Sequence, residues 1–236
     1  MGLSLDLNRV LGNRRYTRRQ ATHELVASVL REAITTGQLK GNQPLPQDEI
    51  AAQLRVSHIP VREALRQLES EGLVTYQPNR GATVTDLSLG EIREIYDIRA
   101  ILETAAVREA APRLSLEELA QAAALLDHAE ATSDGAAWGS LDVGFHELVY
   151  HLQARPRLKE IITGLLRRVD RYWLSHGLML KYRERFDREH RALLAALETR
   201  DPVVASRVLE AHLRGACDLL IAELGSLEPA GSAGAS

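Results

Sequence analysis

Val56-Ser57-His58-Ile59-Pro60-Val61-Arg62-Glu63-Ala64-Leu65-Arg66-Gln67-Leu68-Glu69 carries two patterns at once. Val61, Ala64, Leu65 and Leu68 recur at helical spacing and form an inward stripe, while Ile59, Arg62, Glu63 and Arg66 fall on the opposite face. Ser57 stands where an N-cap belongs, its hydroxyl expected to accept from orphan amides, and Pro60 is tolerated because first-turn amides have no helical partner. Upstream, Leu25, Val26, Val29, Leu30 and Ala33 predict a helix from Thr22 that stops at Gly37. A turn, Gly41 to Pro46, leads into a short helix, Asp48 to Leu54. Downstream, Leu73-Val74-Thr75-Tyr76 and Ala82-Thr83-Val84-Thr85 are β-prone runs joined by Gln77-Pro78-Asn79-Arg80-Gly81, a hairpin signal. Three helices followed by a hairpin predict a winged helix-turn-helix over residues 21–86.

Outside that block the organisation is simpler. Residues 1–20 carry Arg14, Arg15, Arg18 and Arg19 without periodicity and read as a flexible basic arm or a solvated tail. After Asp86 the β-branched runs give way to Ala, Leu, Arg and Glu at helical periods. Ser115 with Glu118 predicts a capping box, Pro156 a helix start, and Asp201-Pro202 a cap followed by proline at the first helical position. These marks divide 87–224 into an all-α bundle of about six helices. Residues 225–236, rich in Gly, Ser, Ala and Pro, read as a disordered tail. The fold class expected is mainly α.

A length of 236 residues suits two cores better than one or three. One cysteine, Cys217, excludes an intrachain disulfide and a thiolate zinc cluster within this sequence. No apolar run approaches the roughly 20 residues needed to cross a bilayer, so the expected place is the cytoplasm, with no membrane partner. The net charge of −3 is unevenly spread: residues 1–86 hold 11 Lys+Arg against 9 Asp+Glu, and the rest of the chain is acidic. The front half is the half suited to nucleic acid.

Arg62 and Arg66, one turn apart on the outer face of a capped helix, can enter a major groove and bond guanine edges or phosphates. The alternative is a solvated face whose arginines pair with Glu63 or Glu69. Arg80 beside Gly81, at a hairpin tip, is placed to approach a minor groove or backbone. Leu45-Pro46, Val56 to Leu65, Leu68-Glu69, Glu71-Gly72-Leu73 and Asn79-Arg80-Gly81-Ala82 together resemble the GntR family of transcription regulators, across nearly all of 22–86. The resemblance implies that Arg62 reads operator DNA and that Ser57 and the residue at 58 contact phosphate or base, with Ile59, Arg66, Arg80 and Gly81 completing the surface. Family members usually place arginine after the serine. Here the residue is His58, so an operator sequence does not transfer from relatives.

The helical half, through Asp142, Phe145-His146, Glu189-His190 and His212, resembles the FCD-type ligand-sensing domain of the FadR subgroup. The spacing has its own logic. Asp142 and His146 are one turn apart on a face shared with Trp138, Phe145 and Val149. His190 shares a stripe with Phe186, Leu193, Leu194 and Leu197, and His212 one with Val208 and Leu219. Three imidazoles and one carboxylate suit a divalent ion such as zinc or nickel and leave room for a ligand oxygen; the alternative is a hydrogen-bonded polar core. His128, His151 and His176 lack this convergence, and Glu147 and Glu189 face away or support the set. Arg99, on a stripe with Ile92, Ile95 and Tyr96, either clamps the carboxylate of an effector or pairs internally with Glu103.

The expectation is therefore a homodimeric, metabolite-responsive repressor that binds double-stranded operator DNA and is released by a small organic acid. Two other classes remain open on sequence alone: a metalloenzyme joined to a DNA-binding domain, and an architectural DNA binder whose polar core is structural.

Overall fold

The computed structural model describes Asp6, Leu7, Val10, residues 22–78 and residues 80–227. Arg14, Arg15, Arg18, Arg19 and Asn79, on which the basic-arm and wing readings drew, lie outside the described residues, as does the tail beyond Leu227. Packing divides the chain into two units, one of residues 1–87 with 166–178, the other of 88–165 with 179–236.

In the first unit, α1 (Thr22–Thr35), α2 (Gln47–Leu54) and α3 (His58–Ser70) precede a hairpin of β1 (Val74–Gln77) and β2 (Gly81–Val84). The apolar stripes meet as their periods require: Val26, Leu30 and Ile34 of α1, Ile50 of α2, and Val61, Leu65 and Leu68 of α3 are each at most 1% exposed. Truncating a side chain so placed, as in Leu65→Ala, costs roughly 2–5 kcal/mol. The hairpin is antiparallel, with Val74 opposite Val84 and Gln77 opposite Gly81. Arg80 donates its amide to the Gln77 carbonyl at 3.2 Å and Gly81 has φ +72°, the geometry of a tight turn closed by a left-handed residue.

Four findings depart from the sequence expectations here. The Gly41–Pro46 turn also serves the sheet: Leu45 donates to the Ala82 carbonyl at 2.8 Å and Val84 to that of Gln43 at 2.9 Å, covering the outer edge of β2. Ser57 is the N-cap of α3 but its side chain makes no cap hydrogen bond. The arm is not free along its whole length, since Leu7 and Val10 are buried in this core and the Leu7 amide donates to Gln53 Oε1 at 2.8 Å. Finally, residues 166–178 pack as part of this unit. Arg171, 6% exposed, donates to Asp86 Oδ1 at 3.1 Å, and the Tyr172 hydroxyl accepts the Leu87 amide at 2.6 Å.

The second unit is built from α4 (Leu89–Ala110), α5 (Leu116–Ala131), α6 (Gly135–Val149), the front of α7 (Pro156–Ser175), the single turn α8 (Leu178–Lys181), α9 (Arg183–Glu198) and α10 (Pro202–Leu227). Six long helices and one turn match the expected bundle. The box of Ser115 and Glu118 forms, and a second one, Ser88 with Glu91, opens α4. Asp201 Oδ1 accepts from the Val203 amide at 2.7 Å and so caps α10. That helix runs three residues into the stretch read as a tail: with α4 packed along it, Gly225 stays helical, its position facing Leu89. Helix α4 lies along α10, α5 pairs with α6, and α9 packs on both α5 and α10. This brings one face each of α6, α9 and α10 to a common interior.

Candidate metal centre and nucleic-acid interface

The common interior is polar at one point. His146 of α6, His190 of α9 and His212 of α10 place one ring nitrogen each within 4.8 Å of one another. His146 Nε2 lies 3.3 Å from His190 Nε2. Asp142, one turn before His146, sets Oδ1 at 3.2 Å from His190 Nε2 and 3.5 Å from His146 Nε2. The three imidazoles read from the sequence therefore cluster, with Asp142 against two of them. Trp138 and Phe145 wall the site, with ring centroids 6.1 Å and 5.5 Å from that of His190. Burial holds the His190 imidazole well below its ordinary range against the opposing pull of Asp142, leaving it a neutral lone-pair donor at pH 7.

The donor set fits a divalent ion. Nitrogen ligands about 2.0–2.1 Å from a tetrahedral zinc stand about 3.3 Å apart, which is the His146–His190 separation observed. Asp142 Oδ1 is buried without a hydrogen-bond partner among the described residues, a costly state for a carboxylate oxygen unless a cation answers it. His212 turns Nδ1 to Glu189 Oε2 at 2.8 Å, so the carboxylate accepts from Nδ1–H and the other nitrogen keeps its lone pair. Glu189 thus supports the set rather than facing away, and is itself held by Arg185 Nε at 2.6 Å. His128, His151 and His176 are not in the cluster.

Arg99 is 7% exposed and its Nε donates to Glu103 Oε1 at 2.7 Å, so the internal ion pair is present. The pair is joined to the imidazole cluster. Tyr150 bonds Glu103 Oε2 at 3.0 Å and His146 Nδ1 at 2.8 Å. Burial, reinforced by the Glu103 charge, pushes the Tyr150 phenol well above its ordinary range, so it keeps its proton. Sequence reading missed Tyr150 as a participant. The signal was its place four residues after His146, one turn along the same face.

On the first unit, Ser57, His58, Ile59, Arg62, Arg66, Arg80 and Gly81 are all exposed, and Ile59 is 58% so. Ser57, with no cap hydrogen bond, is among these exposed residues. His58 Nδ1 lies 3.3 Å from Asp48 Oδ1, at the mouth between α2 and α3. Tyr76 of β1, 38% exposed, was not singled out in the sequence. Its phenol is raised by partial burial and by the Glu69 charge, while the charges of Arg66 and Arg62 act on it in the opposite sense.

Residues 22–84 match the model described as bacterial regulatory proteins, gntR family, and residues 94–215 match the FCD domain. The chain is 31% identical to a gluconate operon transcriptional repressor of Bacillus licheniformis over 78% of each chain. It is 26% identical to the transcriptional repressor RspR of Escherichia coli K12, covering 83% of this chain and 87% of that one. Among solved structures, one named as a transcriptional regulator GntR from Rhodococcus sp. RHA1 superposes with a TM-score of 0.70 at 25% identity, covering 86% of this chain and 99% of that one.

Proposed function

The chain belongs to the GntR family of bacterial regulatory proteins and joins its DNA-binding domain to an FCD domain, as transcription regulators of this kind do; on that premise we propose a homodimeric repressor, controlled by a divalent ion and a small carboxylate, that works in the cytoplasm. No helix among the described residues is long and apolar enough to cross a membrane. Arg62 and Arg66 enter the major groove of operator DNA, Ser57, His58 and Ile59 contact phosphate or base at the start of α3, and Arg80 with Gly81 approaches the minor groove. Asp142, His146, His190 and His212 hold the ion, zinc or nickel, which supplies a Lewis-acid anchor for an anionic oxygen when bound. Arg99 meets the effector's carboxylate in competition with Glu103. The chain is assigned no catalytic step, and its signal is a change in helix placement that alters the spacing of two recognition helices in a dimer.

The observation that carries this reading is the cluster of three imidazoles, two of them facing a buried aspartate oxygen that has no hydrogen-bond partner among the described residues, inside an FCD domain. The test is elemental analysis and zinc titration of the purified protein, followed by duplex selection from random DNA with and without chelator and a panel of small carboxylates. About one ion per chain and acid-dependent release of the selected duplex are expected. Full metal retention by the His146→Ala, His190→Ala double variant refutes the site, and DNA affinity indifferent to every acid and to chelator refutes the sensor.

A further inference from the structure

Four side chains, two on α4, one on α6 and one just past its last residue, form a chain of hydrogen bonds whose polarity is fixed at one end. Arg99 Nε donates to Glu103 Oε1 at 2.7 Å, and Glu103 is 1% exposed. As the carboxylate partner of an ion pair, Glu103 can only accept. Tyr150, 1% exposed, must then spend its single proton on Glu103 Oε2, 3.0 Å away. Its oxygen keeps lone pairs for His146 Nδ1 at 2.8 Å, so the imidazole is the donor in that bond. A neutral imidazole with its proton on Nδ1 has a bare Nε2, and Nε2 is the atom facing Asp142 and His190.

We infer that Tyr150 and Glu103 are positioning residues that fix the His146 tautomer, Glu103 setting the direction of the hydrogen bonds and Tyr150 passing it on. The inference rests on the metal reading above for its purpose, but not for its geometry. Without the chain, the His146 proton has a competing home on Nε2, where Asp142 Oδ1 stands 3.5 Å away as an acceptor. An ion would then have to expel that proton before it could bind.

The isosteric variant Glu103→Gln separates direction from shape. Arg99 needs an acceptor, so the amide oxygen takes the place of Oε1 and the NH2 group faces Tyr150. The phenol then accepts from the amide and donates to His146 Nδ1, which reverses the chain while every heavy atom stays in place. Tyr150→Phe removes the link altogether, and Tyr172→Phe, another buried tyrosine whose hydroxyl serves Asp86 and Leu87, is the control.

The experiment has two readouts on the full chain. Imidazole 15N shifts in chelator-stripped protein report the tautomer, and competition titration with zinc alone reports affinity. Wild type and Tyr172→Phe are expected to show His146 protonated on Nδ1. Glu103→Gln is expected to show it on Nε2, and both Glu103→Gln and Tyr150→Phe to bind zinc about 10–100-fold more weakly. An unchanged tautomer in Glu103→Gln, or an Nε2 proton in the wild type, overturns the inference. Where the wild type binds zinc, an equal affinity in both variants overturns it as well. A wild type that binds no zinc yet shows the expected reversal sinks the metal reading and upholds this one.

Discussion

Removing the guanidinium of Arg99 while keeping its apolar bulk, as in Arg99→Met, tests whether the ion pair with Glu103 is structural. The side chains are 8% and 1% exposed and their charged atoms are 2.7 Å apart. At an effective dielectric of about 20 the attraction is about 6 kcal/mol before desolvation is counted. The net value of the pair is far smaller, but the single variant leaves Glu103 buried with the Tyr150 hydroxyl in place of a cation. Breaking a buried pair from one side costs roughly 3–5 kcal/mol. For a unit of this size that is a melting temperature roughly 10–20 °C lower. The double variant Arg99→Met, Glu103→Leu should recover most of the loss, because a well-packed apolar pair is close to neutral against a buried ion pair. Urea unfolding followed by far-UV circular dichroism gives the three differences needed for the cycle. A single-variant cost below about 1 kcal/mol, or a double variant no better than the single, refutes the reasoning.

Arg62→Ala should weaken binding to a selected duplex by about 1–3 kcal/mol with melting unchanged, as measured by anisotropy and calorimetry, because the side chain is exposed. Arg80→Ala, at the hairpin tip, should lower affinity evenly across sequences and reduce the salt slope of log K by about 1. Glu71 accepts two hydrogen bonds from Arg31, at 2.7 and 2.5 Å. Burial acts to raise its carboxyl, but the bonds and charge of Arg31 outweigh it and the net shift is downward from 4.5. A carboxyl with a depressed folded value stabilises at neutral pH and loses that contribution as pH falls through the folded value. The wild type should therefore lose stability on acidification below about pH 4.5 more steeply than Glu71→Gln, whose stability at pH 7 should be lower by about 1–3 kcal/mol in urea titrations.

Periodicity made the helices legible, because a stripe such as Val61, Ala64, Leu65 and Leu68 has one physical use, burial, and all four are buried. The four ligand candidates were legible for the same reason: a polar residue on an apolar stripe must meet other polar residues where stripes converge. Ser57 shows where such reasoning stops, since its residue type fits a cap but the hydroxyl rotamer is set by surroundings. The strand-like role of Gln43 to Leu45 was hidden because a three-residue edge contains no alternation to detect. Arg99 and Glu103, four residues apart, could be paired by eye. Glu103 and Tyr150 could not, being 47 positions apart, and only the tertiary fold brings them together.

The inclusion of 166–178 in the first unit makes the nucleic-acid-reading half discontinuous in sequence. A fragment ending at Leu87 would strip its own last residues of anchorage, since the Leu87 amide and the Asp86 carboxylate both find their partners in Tyr172 and Arg171. Such an excised piece should be less stable than the same fold within the whole chain. Substitutions at Arg171, though it falls in the span matched to the FCD domain, should register as defects of the reader and not of the sensor.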